Sequence, residues 1–118
     1  MPPKQPICIM FSAGESSGDQ HAANVFLALK KSLPNLQGIG MGSVKMAQAG
    51  INLSYDSASI AVIGLVEVLK HYFEIRRALK LMQQLLLDKK PDLLICVDYK
   101  EFNLKLAQFA KRNGIKVL

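Results

Sequence analysis

The chain has 118 residues, 50% of them hydrophobic, and fifteen Lys and Arg against nine Asp and Glu give a net charge of +6. That length suits one domain with one core, so residues 1–118 read as a single unit, and the charge favours a polyanionic partner: nucleic acid, an anionic membrane surface or phosphorylated substrates. Helix-turn-helix and zinc-finger spacings are missing and no aromatics interleave with Arg, which sets nucleic acid aside, and the longest nearly uncharged run, Ser57 to Val66, is too short to span a bilayer.

Ile7-Cys8-Ile9-Met10-Phe11 is an apolar run of strand length that leads into Ser12-Ala13-Gly14-Glu15-Ser16-Ser17-Gly18-Asp19. Lys4, close before this strand, leaves no cleavable signal pattern, and a cytoplasmic location is expected. In the loop, two glycines permit tight turns and Ser16 with Asp19 has the form of a capping box. Ala22, Val25, Phe26, Leu29 and Leu33 then repeat at helical spacing. Backbone N–H groups at such a helix start can hold a phosphate or sugar oxygen, although any capped helix after a strand has the same form. Glu15 repels a bare phosphate and no Gly-Lys-Ser/Thr follows, which argues for sugar hydroxyls rather than a nucleotide P-loop.

Pro34-Asn35 closes this helix, and Gly38-Ile39-Gly40-Met41-Gly42 reads as a short second strand leading to Ser43 as a helix cap. The spacing is GxGxG, not GxGxxG, and no acidic residue about twenty positions later is placed for a ribose, which argues against a dinucleotide. A brief helix through Met46 and Gln48 ends at Gly50, and Ile51-Asn52-Leu53 is a third strand before a loop from Ser54 to Ser59.

Ile60 to Leu69 is strongly apolar, and Leu65, Val68, Tyr72, Ile75, Leu79, Met82 and Leu86 continue at spacings of three and four, the stripe of a long amphipathic helix or helix pair that covers the sheet. Val62, Ile63, Leu65, Val66 and Leu69 exceed what one stripe requires, and Lys70, His71, Arg76, Arg77 and Lys80 lie just beyond. An apolar patch beside a basic one suits a lipid-bearing anionic surface.

Pro91-Asp92 opens a further apolar run, Leu93-Leu94-Ile95-Cys96-Val97, read as a strand buried on both faces. Asp98 is the first polar group at its carboxyl end, where open parallel sheets bind ligands, though an Asp there can also cap the next helix, expected to start near Glu101. Phe102, Leu106, Phe109 and Ala110 form the last helical stripe, Gly114 stops it, and Ile115 to Leu118 begins a fifth strand on which the chain breaks off, as a segment of a longer enzyme would. Cys8 and Cys96 lie in strands without CxxC or His spacing, so free thiols are expected, with no metal and no cofactor. The alternation predicts a Rossmann-like α/β fold of three layers, a parallel sheet of order 3-2-1-4-5 with the cysteine strands adjacent.

Ala13-Gly14-Glu15-Ser16-Ser17-Gly18-Asp19, then Val62-Ile63-Gly64-Leu65-Val66-Glu67-Val68-Leu69, then Val97-Asp98 with Phe102-Asn103 and Gly114-Ile115-Lys116-Val117, resemble the N-terminal part of the lipid-A-disaccharide synthases in sequence and order. The resemblance implies the N-terminal, acceptor-side half of a GT-B glycosyltransferase. Such an enzyme joins UDP-2,3-diacylglucosamine to 2,3-diacylglucosamine 1-phosphate in lipid A biosynthesis, releasing UDP. It implies Asp98 as general base, and Gly14, Glu15, Ser16, Ser17, Gly18, Asp19 and Asn103 as substrate contacts. Beside it, the apolar and basic character of Val62, Ile63, Leu65, Val66, Leu69, Lys70, Arg76 and Arg77 makes them the expected contact with an anionic membrane, on the inner face of the bacterial inner membrane. The donor nucleotide would be held mainly by a C-terminal half, leaving this part inactive alone and its oligomeric state open. Where the family usually reads Gly-Ile-Asp-x-Pro-Asp-Phe-Asn, this chain carries Cys96, Val97, Lys100 and Glu101 around Asp98. A non-catalytic module that binds the acceptor or a nucleotide, and a flavodoxin-like protein, share the same features.

Overall fold

Apolar runs too short for helices, separated by amphipathic stretches, leave each strand to be covered on both faces, which a parallel sheet between two helical layers achieves. The computed structural model describes residues 7–14, 16–56, 68–97 and 100–118. Among them β1 (Cys8–Ala13), α1 (Ser16–Ser32), β2 (Gln37–Gly42), α2 (Val44–Ala49), β3 (Asn52–Asp56), α3 (Val68–Lys89), β4 (Leu93–Val97), α4 (Lys100–Arg112) and β5 (Lys116–Val117) alternate along the chain. The strands form one five-stranded sheet of order β3-β2-β1-β4-β5, and the four pairings are parallel. This is the expected order, with the strands of Cys8 and Cys96 adjacent.

Two core clusters lie one on each face. Met10, Met41, Leu94 and Ile115 pack with Ala78, Met82 and Leu86 of α3 and Phe102, Leu106 and Ala110 of α4. Ile9, Phe11, Ala13, Ile51 and Ile95 pack with Ala22, Ala23 and Phe26 of α1 and Met46 of α2. Alternation along β1 therefore sends Met10 to one layer and Ile9 and Phe11 to the other. The stop expected at Gly114 is present: its φ of 77° is open to glycine at little steric cost, and the Ile115 N–H returns to the Ala110 carbonyl at 2.9 Å.

Several details depart from the sequence reading. β1 runs on through Ser12 and Ala13, and β3 extends to Asp56 rather than ending at Leu53. In α1 the inward positions are Ala22, Ala23, Phe26 and Leu29, while Val25 and Leu33 are exposed, because two small alanines set the face that comes closest to the sheet. Met82 and Leu86 of the long stripe are buried, but Tyr72 is 54% exposed. The reason is length. The 22 residues of α3 extend about 33 Å at 1.5 Å per residue, whereas the 5 residues of β4 cover about 17 Å. Since α3 ends near the amino end of the sheet, its first turns overhang the carboxyl end. The apolar segment with Val62, Ile63, Leu65 and Val66 lies outside the described residues, as do the side chains of Leu69 and Lys70.

Candidate functional site

In the register between β1 and β4, Ala13 stands opposite Val97. The two segments that the sequence singles out, residues 14–19 and the chain entering Asp98, thus leave the sheet side by side at its carboxyl edge. Parallel strands lie about 4.8 Å apart, so ligand groups between these roots could reach both. Asp98 and Glu15 themselves, and the side chain of Ser16, lie outside the described residues. Helix α4 begins at Lys100.

Among the described residues, Ser12, Asp19 and Asn103 are the buried polar side chains, and all three sit at this edge. Asn103, in the first turn of α4, is 5% exposed. Its Nδ2 donates to the Ser12 carbonyl at 3.1 Å and more weakly to the Val97 carbonyl at 3.4 Å, and its Oδ1 accepts the Ser12 hydroxyl proton. Ser12 was not among the sequence candidates. Its signal was available: a hydroxyl directly after five apolar residues needs a partner once the strand is buried.

Asp19 is not confined to a local cap at the start of α1. Ser16 is already the first residue of α1, and the Asp19 carboxylate, 3% exposed, turns to α2 instead. It accepts the backbone N–H of Ser43 at 2.7 Å, Lys45 at 2.9 Å and Met46 at 3.1 Å. Ser43 holds the cap position of α2 but makes no side-chain cap bond. A residue 24 positions away in sequence has taken the cap's place, and its charge matches the positive end of the helix. Asp19→Ala is expected to lower stability by about 2 kcal/mol, since it orphans N–H groups that water reaches incompletely. Urea denaturation measures this, and a loss too small to detect would mean that Ser43 can resume the cap. Of the remaining motif positions, Gly14 and Gly18 are buried and Ser17 is exposed.

The overhang of α3 carries Phe73, 64% exposed, beside Tyr72, their rings 5.8 Å apart and edge to face. The Arg76 guanidinium lies 6.0 Å from the Tyr72 ring, and Phe73, Arg76, Arg77 and Lys80 line a shallow groove of about 430 Å3. Glu74 fastens this turn to the sheet by accepting the Tyr55 hydroxyl at 2.9 Å, and it pairs loosely with Arg77 at 3.7 Å. No helix among the described residues is long and apolar enough to cross a membrane.

A larger cavity, about 710 Å3, opens at the opposite, amino end of the sheet, between Cys8, Gln37, Asn52, Lys89 and Asp92. The ends of α1 and α3 face it, with Lys30 and Lys89 in their last turns, where a positive charge complements the helix dipole, and the Lys30 ammonium lies 5.4 Å from the Phe26 ring centre. At both cysteines the surroundings disfavour the thiolate. Both are free; burial pushes the Cys96 thiol up to about 11, and burial with the nearby Asp92 carboxylate raises Cys8.

Residues 9–118 match the family model described as lipid-A-disaccharide synthetase. The chain is 52% identical over 106 residues to a lipid-A-disaccharide synthase of Nitrosococcus oceani, covering 90% of this chain and 27% of that protein. It is 44% identical over 110 residues to the enzyme of that name from Geobacter sulfurreducens, covering 93% of this chain and 29% of the relative. A synthase of Coxiella burnetii is 39% identical over 110 residues, again 93% of this chain and 29% of the relative. The chain thus spans under a third of the length of the curated relatives it matches, and over that span it belongs to the lipid-A-disaccharide synthetase family.

Proposed function

We propose that this chain is the acceptor-side part of a GT-B glycosyltransferase that joins UDP-2,3-diacylglucosamine to 2,3-diacylglucosamine 1-phosphate, giving the β-1,6-linked disaccharide phosphate and UDP. The family match over residues 9–118 carries the reading. The pairing of Ala13 with Val97, which roots both candidate segments at the ligand-binding edge of the sheet, supports it.

In this mechanism Asp98 accepts the proton of the acceptor's 6-hydroxyl as that oxygen attacks the anomeric carbon of the donor. The bond from that carbon to the phosphate oxygen breaks on the opposite face, its electron pair leaves with UDP, and the configuration inverts. Glu15, Ser16 and Ser17 supply polar groups for the sugar, and Gly14 and Gly18 let its ring approach the backbone. Asp19 and Asn103, which the sequence groups with them, act by holding the edge in shape, because their polar atoms already meet protein partners. Donor binding is assigned to the remainder of a full-length enzyme. Calorimetry on the isolated chain tests this division: UDP should show no tight binding, and a micromolar affinity would refute the assignment of the donor to the other half.

The lipid substrates call for access to a bilayer, and the overhang of α3 fits one: exposed aromatic rings beside Arg76, Arg77 and Lys80 suit the headgroup level of the inner face of the inner membrane, where the protein would be peripheral. Each basic residue near an anionic surface contributes roughly 1 kcal/mol. Replacing Arg76, Arg77 and Lys80 by Gln should therefore release the protein from vesicles containing anionic lipid, and salt should do the same to the parent. Sedimentation insensitive to both would count against this surface.

A further inference from the structure

We propose that Asn103 is a positioning residue, whose amide fixes the Val97 carbonyl, and so the entry to residue 98, against Ser12 near the end of β1. The inference rests on the reading of Asp98 as the base.

The orientation of the amide follows from its neighbours. The Ser12 and Val97 backbone oxygens, 3.1 and 3.4 Å from Nδ2, can only accept, so the amide nitrogen must face them. Oδ1 is then directed at the Ser12 hydroxyl, which donates. Both of these ties to the backbone therefore come from the nitrogen, while the oxygen meets the Ser12 side chain. These ties fall where β1 and β4 make their last pairings, Ser12 with Cys96 and Ala13 with Val97, just before the chains part. Beyond that row the ladder no longer fixes their spacing, and a buried amide in the first turn of α4 locks strand, strand and helix together. An apolar side chain would fill the same volume but would leave both carbonyls free to shift.

Substitutions separate positioning from mere stability. The vehicle is a chimera that carries this chain in place of the matching segment of the Nitrosococcus oceani relative. Asn103→Ala removes both backbone ties, whereas Ser12→Ala removes the hydroxyl bond and keeps both. Assayed well below their melting temperatures, Asn103→Ala is expected to lower kcat about 10- to 100-fold, with the KM for the UDP-sugar unchanged. Ser12→Ala, although less stable than the parent, should keep kcat within about threefold, because the backbone geometry is retained. Should Asn103→Ala not accumulate as folded enzyme, Asn103→Ser takes its place, since a hydroxyl can meet one carbonyl but cannot span both. Near-parental kcat in the Asn103 variant, or equal losses in the Asn103 and Ser12 variants, would overturn the proposal. Asp98→Asn in the same chimera tells which statement has failed: if it keeps turnover, the reading of Asp98 falls, and if it is inactive while the Asn103 variant works, this inference alone falls.

Discussion

Asp98→Asn in the chimera is expected to reduce turnover by about 10² to 10⁴, the usual effect of losing a general base, with the fold and donor binding retained. An amide has nearly the shape of the carboxylate and can still accept hydrogen bonds, so a purely structural Asp98 would tolerate the exchange at about 1 kcal/mol or less. Glu101 is the control. It is exposed in the first turn of α4, where its charge complements the helix dipole. Glu101→Gln should cost about 1 kcal/mol or less in stability and little in rate. Steady-state assays on both variants decide, and greater damage from Glu101→Gln would transfer the base to that residue.

The largest effect on stability is expected at Gly40. Its φ is 140°, and a Cβ built on it would lie 1.9 Å from the Phe11 carbonyl oxygen and 2.9 Å from the Phe11 carbonyl carbon and nitrogen. Phe11 pairs with Gly40 in the sheet, and β1 is held between β2 and β4 with helices on both faces, so the backbone has nowhere to retreat. The pairing of β2 with β3 slips by one residue between Gly40 and Met41, which this conformation allows. Gly40→Ala combines backbone strain with a direct overlap and should destabilise by about 4 kcal/mol or more. For a domain whose total stability is of order 5–15 kcal/mol, that is a large fraction of the whole. Circular dichroism melts are the measurement, and a variant melting within a few degrees of the parent would refute the account.

The sheet order was legible because β1 and β4 are apolar runs and each crossover is long enough for a helix, conditions under which right-handed connections leave few topologies. Less was legible where one residue serves a distant element. Asp19 resembles a local capping residue, and nothing in the spacing of the sequence reveals that it caps α2 across 24 positions. Ser12 and Asn103 are 91 positions apart, and their bond exists because β4 inserts beside β1. Tyr72 has the right phase for burial but sits on a helix longer than the strands beneath it, which periodicity cannot register. The candidate site is thus divided: the sequence named residues 14–19 and the entry to Asp98, and the structure shows Asp19 bonded to the start of α2 and Asn103 bonded to β1 and β4.

The central claim, that this chain supplies the acceptor side of a lipid-A-disaccharide synthase, is tested most directly by giving the chimera both lipid substrates and following products by mass spectrometry. The expected result is disaccharide 1-phosphate and UDP in equal amounts, at a rate of the relative's own order. A folded chimera that binds UDP yet forms no disaccharide would contradict it.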